Sequence, residues 1–298
     1  MFKSIIICFI LFFQGFVAKE TPTDEKLGNI FELKKGNTAI KIAAEGGRII
    51  SYSYKNKELL TQFTDNQNFG STLWTAPQSS WGWPPSEVFD KQKYTVKKSG
   101  RIIKMLSQPD SKSGFQLEKK WQLIGQDVLQ IDYQIKNISS KAKSVGAWEV
   151  TRVPSGGLVF FPKGEAGNVP KSTLVPDLQA DGINWISVSK VPLVNHVKLF
   201  STAGEGWMAY AIDGLLFIKQ FPDIKAAKYA PEEGEVEIYL DKDKKYIELE
   251  NQGEYGLLPP GKTLNYRVKW RLVEIPASLN IEIGSKELLI FVRKNLKK

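Results

Sequence analysis

The run TLNYRVKWRLVEIP constrains the fold more than any other segment of this chain. Leu264, Tyr266, Val268, Trp270 and Leu272 fall on one side of an extended backbone, with Asn265, Arg267, Lys269 and Arg271 on the other. Alternation of that kind belongs to a strand that covers a core with one face and meets water with the other. The pattern recurs. QLEKKWQLIGQDVLQIDYQIKN reads as strand, tight turn, strand, with Leu129, Ile131, Tyr133 and Ile135 sharing a face. EVEIYLDKDKKYIELEN repeats it, with Asp241 to Lys244 as the polar turn, and TAIKIAAEGGRIISYSYKNKELL holds two β-rich runs around Glu45-Gly46-Gly47. No stretch of about twelve residues free of Gly and Pro carries an amphipathic helical pattern. No repeat is visible at periods of about 20 to 50 residues. These features predict an all-β chain of two large, mostly antiparallel packed sheets, not a βαβ fold. A seven-stranded module of ~100 residues is too small for the chain, so either the sheets are very wide or two sandwiches are fused.

The opening MFKSIIICFILFFQGFVA has one lysine, a short apolar run and a small residue at Ala18. It predicts a signal peptide over residues 1–18, followed by a short lead over 19–27. The run is too short to span a bilayer comfortably, so a periplasmic or secreted protein with no stable membrane insertion after cleavage is expected, with an uncleaved membrane anchor as the alternative. The single cysteine, Cys8, lies inside that run, which leaves the remainder without disulfide or thiol chemistry. The formal charge of +9 becomes +8 once Lys3 is removed (9 − 1), and the excess is scattered. No basic block with interleaved aromatics and no zinc-finger or helix-turn-helix pattern is present, so nucleic acid is not expected as a partner.

Two groups of residues carry candidate chemistry. The first is NFGSTLWTAPQSSWGWPPSEVFD, residues 68 to 90, a segment expected to be neither helix nor strand. It holds three of the eight tryptophans, Trp74, Trp81 and Trp83. Indole rings left in water are costly, so they either pack or meet a ligand. Pro84 and Pro85 stiffen the backbone and hold the preceding residues extended. A stiff turn bearing flat rings can stack on the C–H face of a sugar, with Gln78, Asn68 and Ser71 available for its hydroxyl rim. The same rings can instead plug the open end of a sandwich. Trp74 fits the plug, and Trp81 and Trp83 fit the platform.

The second group is acidic. Glu248 and Glu250 share a strand face with Tyr246, opposite Ile247 and Leu249. Adjacent carboxylates on one face repel, which can raise one pKa and supply a base near neutral pH. A solvated strand face accounts for them equally simply. Trp148, Glu149 and Arg152 precede a Gly-Gly loop and can line a cleft or form an edge and turn. His196, the only histidine, sits in what reads as an ordinary strand. One imidazole and no thiolate are a poor set for zinc, and no phosphate or dinucleotide loop is present, so no metal and no cofactor are expected.

NTAIKIAAEGGRIISYSYKNKELL resembles the opening of the galactose mutarotase-like superfamily, and YIELENQGEYGLLPPGKTLNYRVKWRL resembles its end. NFGSTLWTAPQSSWGWPPSEVFD is similar more narrowly to the DUF4380 group of that superfamily. The resemblance covers roughly residues 28 to 275 and implies a β-supersandwich over that span, with a C-terminal strand and basic tail over 276–298. It also implies sugars or oligosaccharides as partners. In the superfamily's epimerases a C-terminal glutamate acts as base on the anomeric hydroxyl, a role that falls on Glu250 or Glu248. A histidine protonates the ring oxygen. VGAWEVTR stands roughly in that histidine's place with Glu149 and Arg152, and His196 is the only imidazole available. The main expectation is an exported carbohydrate-binding protein with a Trp-lined cleft. The alternative is an aldose 1-epimerase-like enzyme with a Glu base.

Overall fold

The computed structural model describes residues 28–62, 68–125, 127–165, 167–188 and 194–297. The expected signal peptide and lead lie outside these residues. In chain order the strands are β1 (Ile30–Lys35), β2 (Thr38–Ala43), β3 (Arg48–Tyr54), β4 (Lys57–Glu58), β5 (Ser71–Ala76), β6 (Thr95–Ser99), β7 (Ile102–Leu106), β8 (Phe115–Ile124), β9 (Val128–Asn137) and β10 (Lys143–Val153). They continue as β11 (Leu158–Pro162), β12 (Leu178–Ala180), β13 (Ile183–Ser187), β14 (Val197–Ser201), β15 (Trp207–Ile212), β16 (Leu215–Gln220), β17 (Val236–Leu240), β18 (Ile247–Gln252), β19 (Gly256–Leu258) and β20 (Thr263–Glu274). Two ten-stranded sheets result. The first runs β1-β2-β3-β5-β10-β18-β17-β14, with β4 on β3 and β19 on β10. The second runs β12-β13-β11-β15-β16-β20-β9-β8-β7-β6. Every strand pairing is antiparallel. The sheets are therefore very wide, which resolves the two architectures left open by length.

The core lies between the sheets. Tyr52 of β3 meets Phe217 of β16 and Trp270 of β20, with ring centroids 5.9 and 5.5 Å away. Strand β8 alternates perfectly in burial, and its inward row Phe115, Leu117, Lys119, Trp121, Leu123 contains a lysine. That lysine is satisfied by the β2–β3 turn, donating to the carbonyls of Gly46 (2.7 Å) and Gly47 (3.0 Å). Gly46 has φ +67°, and a Cβ there would stand 2.3 Å from the Asp90 carbonyl oxygen, so the turn requires glycine.

Two expectations are corrected here. The tryptophan-rich segment is not wholly irregular. Its first part, Ser71–Ala76, is strand β5, buried along its whole length between β3 and β10. Regular structure returns at α1 (Glu87–Asp90). The C-terminal segment is a helix, not a strand. In α2 (Lys286–Leu296) the Ser285 side chain accepts from the Leu288 N–H, Glu287 lies in the first turn and Arg293 and Lys294 in the last. Leu288 and Val292, one turn apart, bury themselves with Phe160, Trp185, Trp207, Leu216 and Ile218 on the outer face of the second sheet. Among the described residues no helix is long and apolar enough to cross a membrane.

Candidate functional site

The outer face of the first sheet carries the polar cluster. Directly opposed residues of an antiparallel pair share a face, so the strand register lays the side chains out in rows. Trp74, Trp148 and Gln252 form one row across β5, β10 and β18. The next holds Thr72, Val150, Glu250, Glu237 and Phe200, and the one after it Arg152, Glu248, Tyr239 and Lys198. Two further segments close against this face. Residues 78 to 83 bring Trp81 and Trp83, and the loop before β17 brings Ala230 and Glu233.

Glu250 is at the centre. Trp148 Nε1–H donates to its Oε2 at 2.8 Å, and Lys198 Nζ donates to the same oxygen at 3.2 Å. Its other oxygen, Oε1, is buried and has no hydrogen-bond partner among the described residues. Lys198 also pairs with Glu237 at 2.5 Å. Glu237 in turn accepts from Gly234 N (2.7 Å) and from Gln252 Nε2 (3.1 Å), and Gln252 Nε2 donates as well to Glu233 (3.1 Å). The second Glu233 oxygen accepts from the Gln78 backbone N–H at 2.8 Å, which ties the start of the tryptophan turn to the acidic cluster.

The charges follow from these contacts. Burial pushes the Glu250 pKa up to about 7, with Lys198 pulling it down and Glu248 pushing it further up. Burial also raises Glu237 well above the usual carboxylate range, against Lys198 and with Glu250 and Glu233. Burial works against the Lys198 ammonium, but Glu250 and Glu237 outweigh it and hold the group charged. Burial therefore favours the protonated form of Glu250, beside a fixed positive charge.

The tryptophans pack around Trp74. Its ring lies 5.3 Å from Trp148, 6.0 Å from Trp81 and 5.8 Å from Trp83, edge to face in each case. Asp90 fixes it, accepting from Trp74 Nε1 (3.0 Å) and from Arg48 (2.7 Å). Burial alone would raise Asp90, but Arg48 and the indole N–H outweigh it and hold its carboxyl below the usual range. Trp81 is partly covered, its Nε1 donating to Thr75 O at 2.7 Å, whereas Trp83 is 62% exposed. Arg152 donates to Glu248 at 2.8 Å and lies over the Trp74 ring at 5.3 Å. A surface hollow of about 440 Å³ bordered by Phe31, Lys93, Tyr94 and Gln108 holds none of this chemistry.

Of the sequence-predicted residues, Glu250, Glu248, Trp148, Arg152, Trp74, Trp81, Trp83 and Gln78 come together. Two do not. Glu149 follows Trp148 on the same strand and therefore faces the opposite side. It is sealed between the sheets, accepting from Tyr133 OH (2.7 Å), Trp270 Nε1 (3.2 Å) and Lys219 (3.0 Å), so it is a core ion-pair partner and cannot pair with Glu250. His196 stands exposed at the edge before β14, stacked on Tyr239 with centroids 5.4 Å apart. Its Nδ1 accepts from the Lys242 N–H at 3.1 Å and meets Tyr239 OH at 2.6 Å, so in the neutral ring the proton sits on Nε2. Sequence reasoning missed Lys198, Glu237, Glu233 and Gln252. The period of two places Lys198 and Glu237 outward on their own strands, but only the strand order brings them to Glu250.

The two wide antiparallel sheets form a mutarotase-like β-sandwich fold. Structures similar to it include a candidate aldose 1-epimerase from Escherichia coli K12 (12% identity, TM-score 0.61, covering 83% of this chain and 99% of that one). A galactose mutarotase-like protein from Lactobacillus casei ATCC 334 is similar too (12% identity, TM-score 0.59, 82% and 100%). So is a galactose mutarotase related enzyme from Lactobacillus acidophilus (10% identity, TM-score 0.57, 86% and 100%). At these identities the likeness is one of fold. The chain belongs to the family described as Domain of unknown function (DUF4380), whose model matches residues 53–273. No curated protein matches it.

Proposed function

We propose that this chain acts on the anomeric centre of a sugar, as an aldose 1-epimerase-like enzyme with Glu250 as the base. The observation that carries the reading is Glu250 itself. One carboxylate oxygen is anchored by Trp148 and Lys198 while the other has no partner among the described residues, on the face that the Trp81–Trp83 turn borders. In this reading Glu250 takes the proton of the anomeric hydroxyl. The protonated Glu250 passes that proton to the ring oxygen as the C1–O5 bond breaks, with the Lys198 ammonium as a fixed charge that stabilises the developing negative charge. Rotation about C1–C2 and the reverse proton transfers close the ring on either face. The fold shared with mutarotase-like proteins supports this reading. So does the Glu250 pKa of about 7, which suits a group that must both accept and return a proton. A leader over residues 1–18 would place the activity in the periplasm or outside the cell.

Binding without chemistry is the second reading. It is favoured by His196 lying at the sheet edge, where it does not meet Glu250, and by the exposure of Trp83 as a stacking surface. NMR of freshly dissolved aldoses separates the two. Anomeric exchange that is faster with wild-type protein and falls by about 10²-fold or more in Glu250→Gln supports the enzyme. Sugar binding with no acceleration supports the binding protein.

A further inference from the structure

The acidic cluster has more carboxyl groups than cations to answer them. Glu237 and Glu250 share one ammonium, Lys198, Glu233 is met by the Gln252 amide and the Gln78 N–H with no ion pair among the described residues, and Arg152 is taken by Glu248. Glu233, Glu237, Gln252 and Glu250 are all buried. Two acceptors in this cluster lack a donor among the described residues. They are Glu250 Oε1 and Gln252 Oε1, on side chains two residues apart on the same face of β18. The Gln252 amide orientation follows from its nitrogen facing two carboxylates.

Lys198 shows what this environment stabilises. Its ammonium lies 5.1 Å from the centre of the Trp148 ring and between two carboxylates, a setting that favours an alkylammonium through both ring and charge. Lys198 is also the cluster member that meets water, with 22% of its side chain exposed. Among the described residues no group of three or more His, Cys, Asp or Glu side chains is arranged to hold a metal ion. A neutral hydroxyl would satisfy an orphan acceptor but bring no charge for the crowded carboxyls. An acidic sugar would add to it.

Resting on the sugar reading above, we infer that the ligand is an amino sugar with a free primary ammonium, which donates to Glu250 Oε1 and Gln252 Oε1. It enters beside Lys198, where the cluster reaches solvent. N-acetylation removes the charge and adds bulk, so the acetylated sugar is rejected.

The test is calorimetric binding of glucosamine, glucose and N-acetylglucosamine to the full chain at pH 7 and low salt, repeated in two buffers of different ionisation enthalpy. Glucosamine is expected to bind at least about tenfold more tightly than the other two, a difference that salt weakens. Its binding is expected to release protons, because the ligand's charge replaces protons held by the raised carboxyls. Glu237→Gln and, separately, Glu233→Gln should shrink the preference for glucosamine over glucose; circular dichroism checks that each variant folds. Equal binding of glucose and glucosamine, or binding of the N-acetyl sugar as tight as that of glucosamine, overturns the inference and leaves the sugar reading standing. Binding of none of the three overturns both.

Discussion

At the scale of the residue, Glu250 and Trp83 separate chemistry from stability. Glu250 is fully buried, and burial pushes its pKa in the folded chain up to about 7, above the usual carboxylate range. The folded state therefore holds a proton that the unfolded chain gives up between the two. Stability falls as pH rises through that window and this group ionises. Glu250→Gln removes the ionisation. Its denaturation midpoint should match or exceed that of the wild type at pH 8, with the advantage shrinking towards pH 5. An advantage that grows towards acid would contradict the burial argument. Trp83 is exposed and unbonded at its indole nitrogen in the described contacts, so Trp83→Ala should leave stability within about 0.5 kcal/mol while weakening sugar retention. Trp81 is a less clean probe, because its indole holds the Thr75 carbonyl. An unfolded Trp83→Ala protein would mean the exposed ring supports the fold after all.

At the scale of the element, alternation decides what a reader of the sequence can see. Strands β8, β9, β17, β18 and β20 and their turns were legible, because each contrasts a core face with a polar one. LVFFP in β11, WMAYAI in β15 and LLFIKQ in β16 were not, because α2 and its neighbours cover the outer face of that part of the second sheet. Strands buried on both faces lose the period of two. Helix α2 was hidden for a related reason. Its core LLIFV is a short apolar run that periodicity cannot tell from a strand, and its capping serine became visible only with the helix. Ser285→Ala should cost about 1 kcal/mol by loss of the cap, and Leu288→Ala about 2–5 kcal/mol by opening a cavity against Phe160 and Leu216. Chemical denaturation measures both. A neutral Leu288→Ala would show that α2 does not contribute to the fold.

At the scale of the whole molecule, the two sheets are joined by more than apolar packing. Lys219 of the second sheet crosses the core to Glu149, Thr151 Oγ1 and the Leu249 carbonyl of the first. Burial lowers the Lys219 pKa, while Glu149 opposes the shift. Lys219→Met leaves Glu149 buried without its counter-ion and should cost about 3–5 kcal/mol, much of it restored by adding Glu149→Gln. The double variant, once folded, should keep any sugar activity, since Glu149 faces away from Glu250. Loss of activity there would return Glu149 to the site. That Glu149 and Trp148 point to opposite faces was already implied by their adjacency on one strand. By contrast, the meeting of Glu250, Lys198, Glu237 and Glu233 depends on β18, β17 and β14 lying side by side and on a loop folding over them, which no local pattern encodes. The acid face of β18 was legible in the sequence; its partners required the topology.

The central claim is that Glu250 exchanges a proton with a sugar's anomeric hydroxyl. NMR line shapes or saturation transfer between the α and β anomers of an aldose at equilibrium, with catalytic amounts of protein, test it most directly. The account predicts exchange above the uncatalysed rate for the wild type, retained by Lys219→Met/Glu149→Gln and reduced to near background by Glu250→Gln. Exchange equally fast in the Glu250→Gln protein would contradict it.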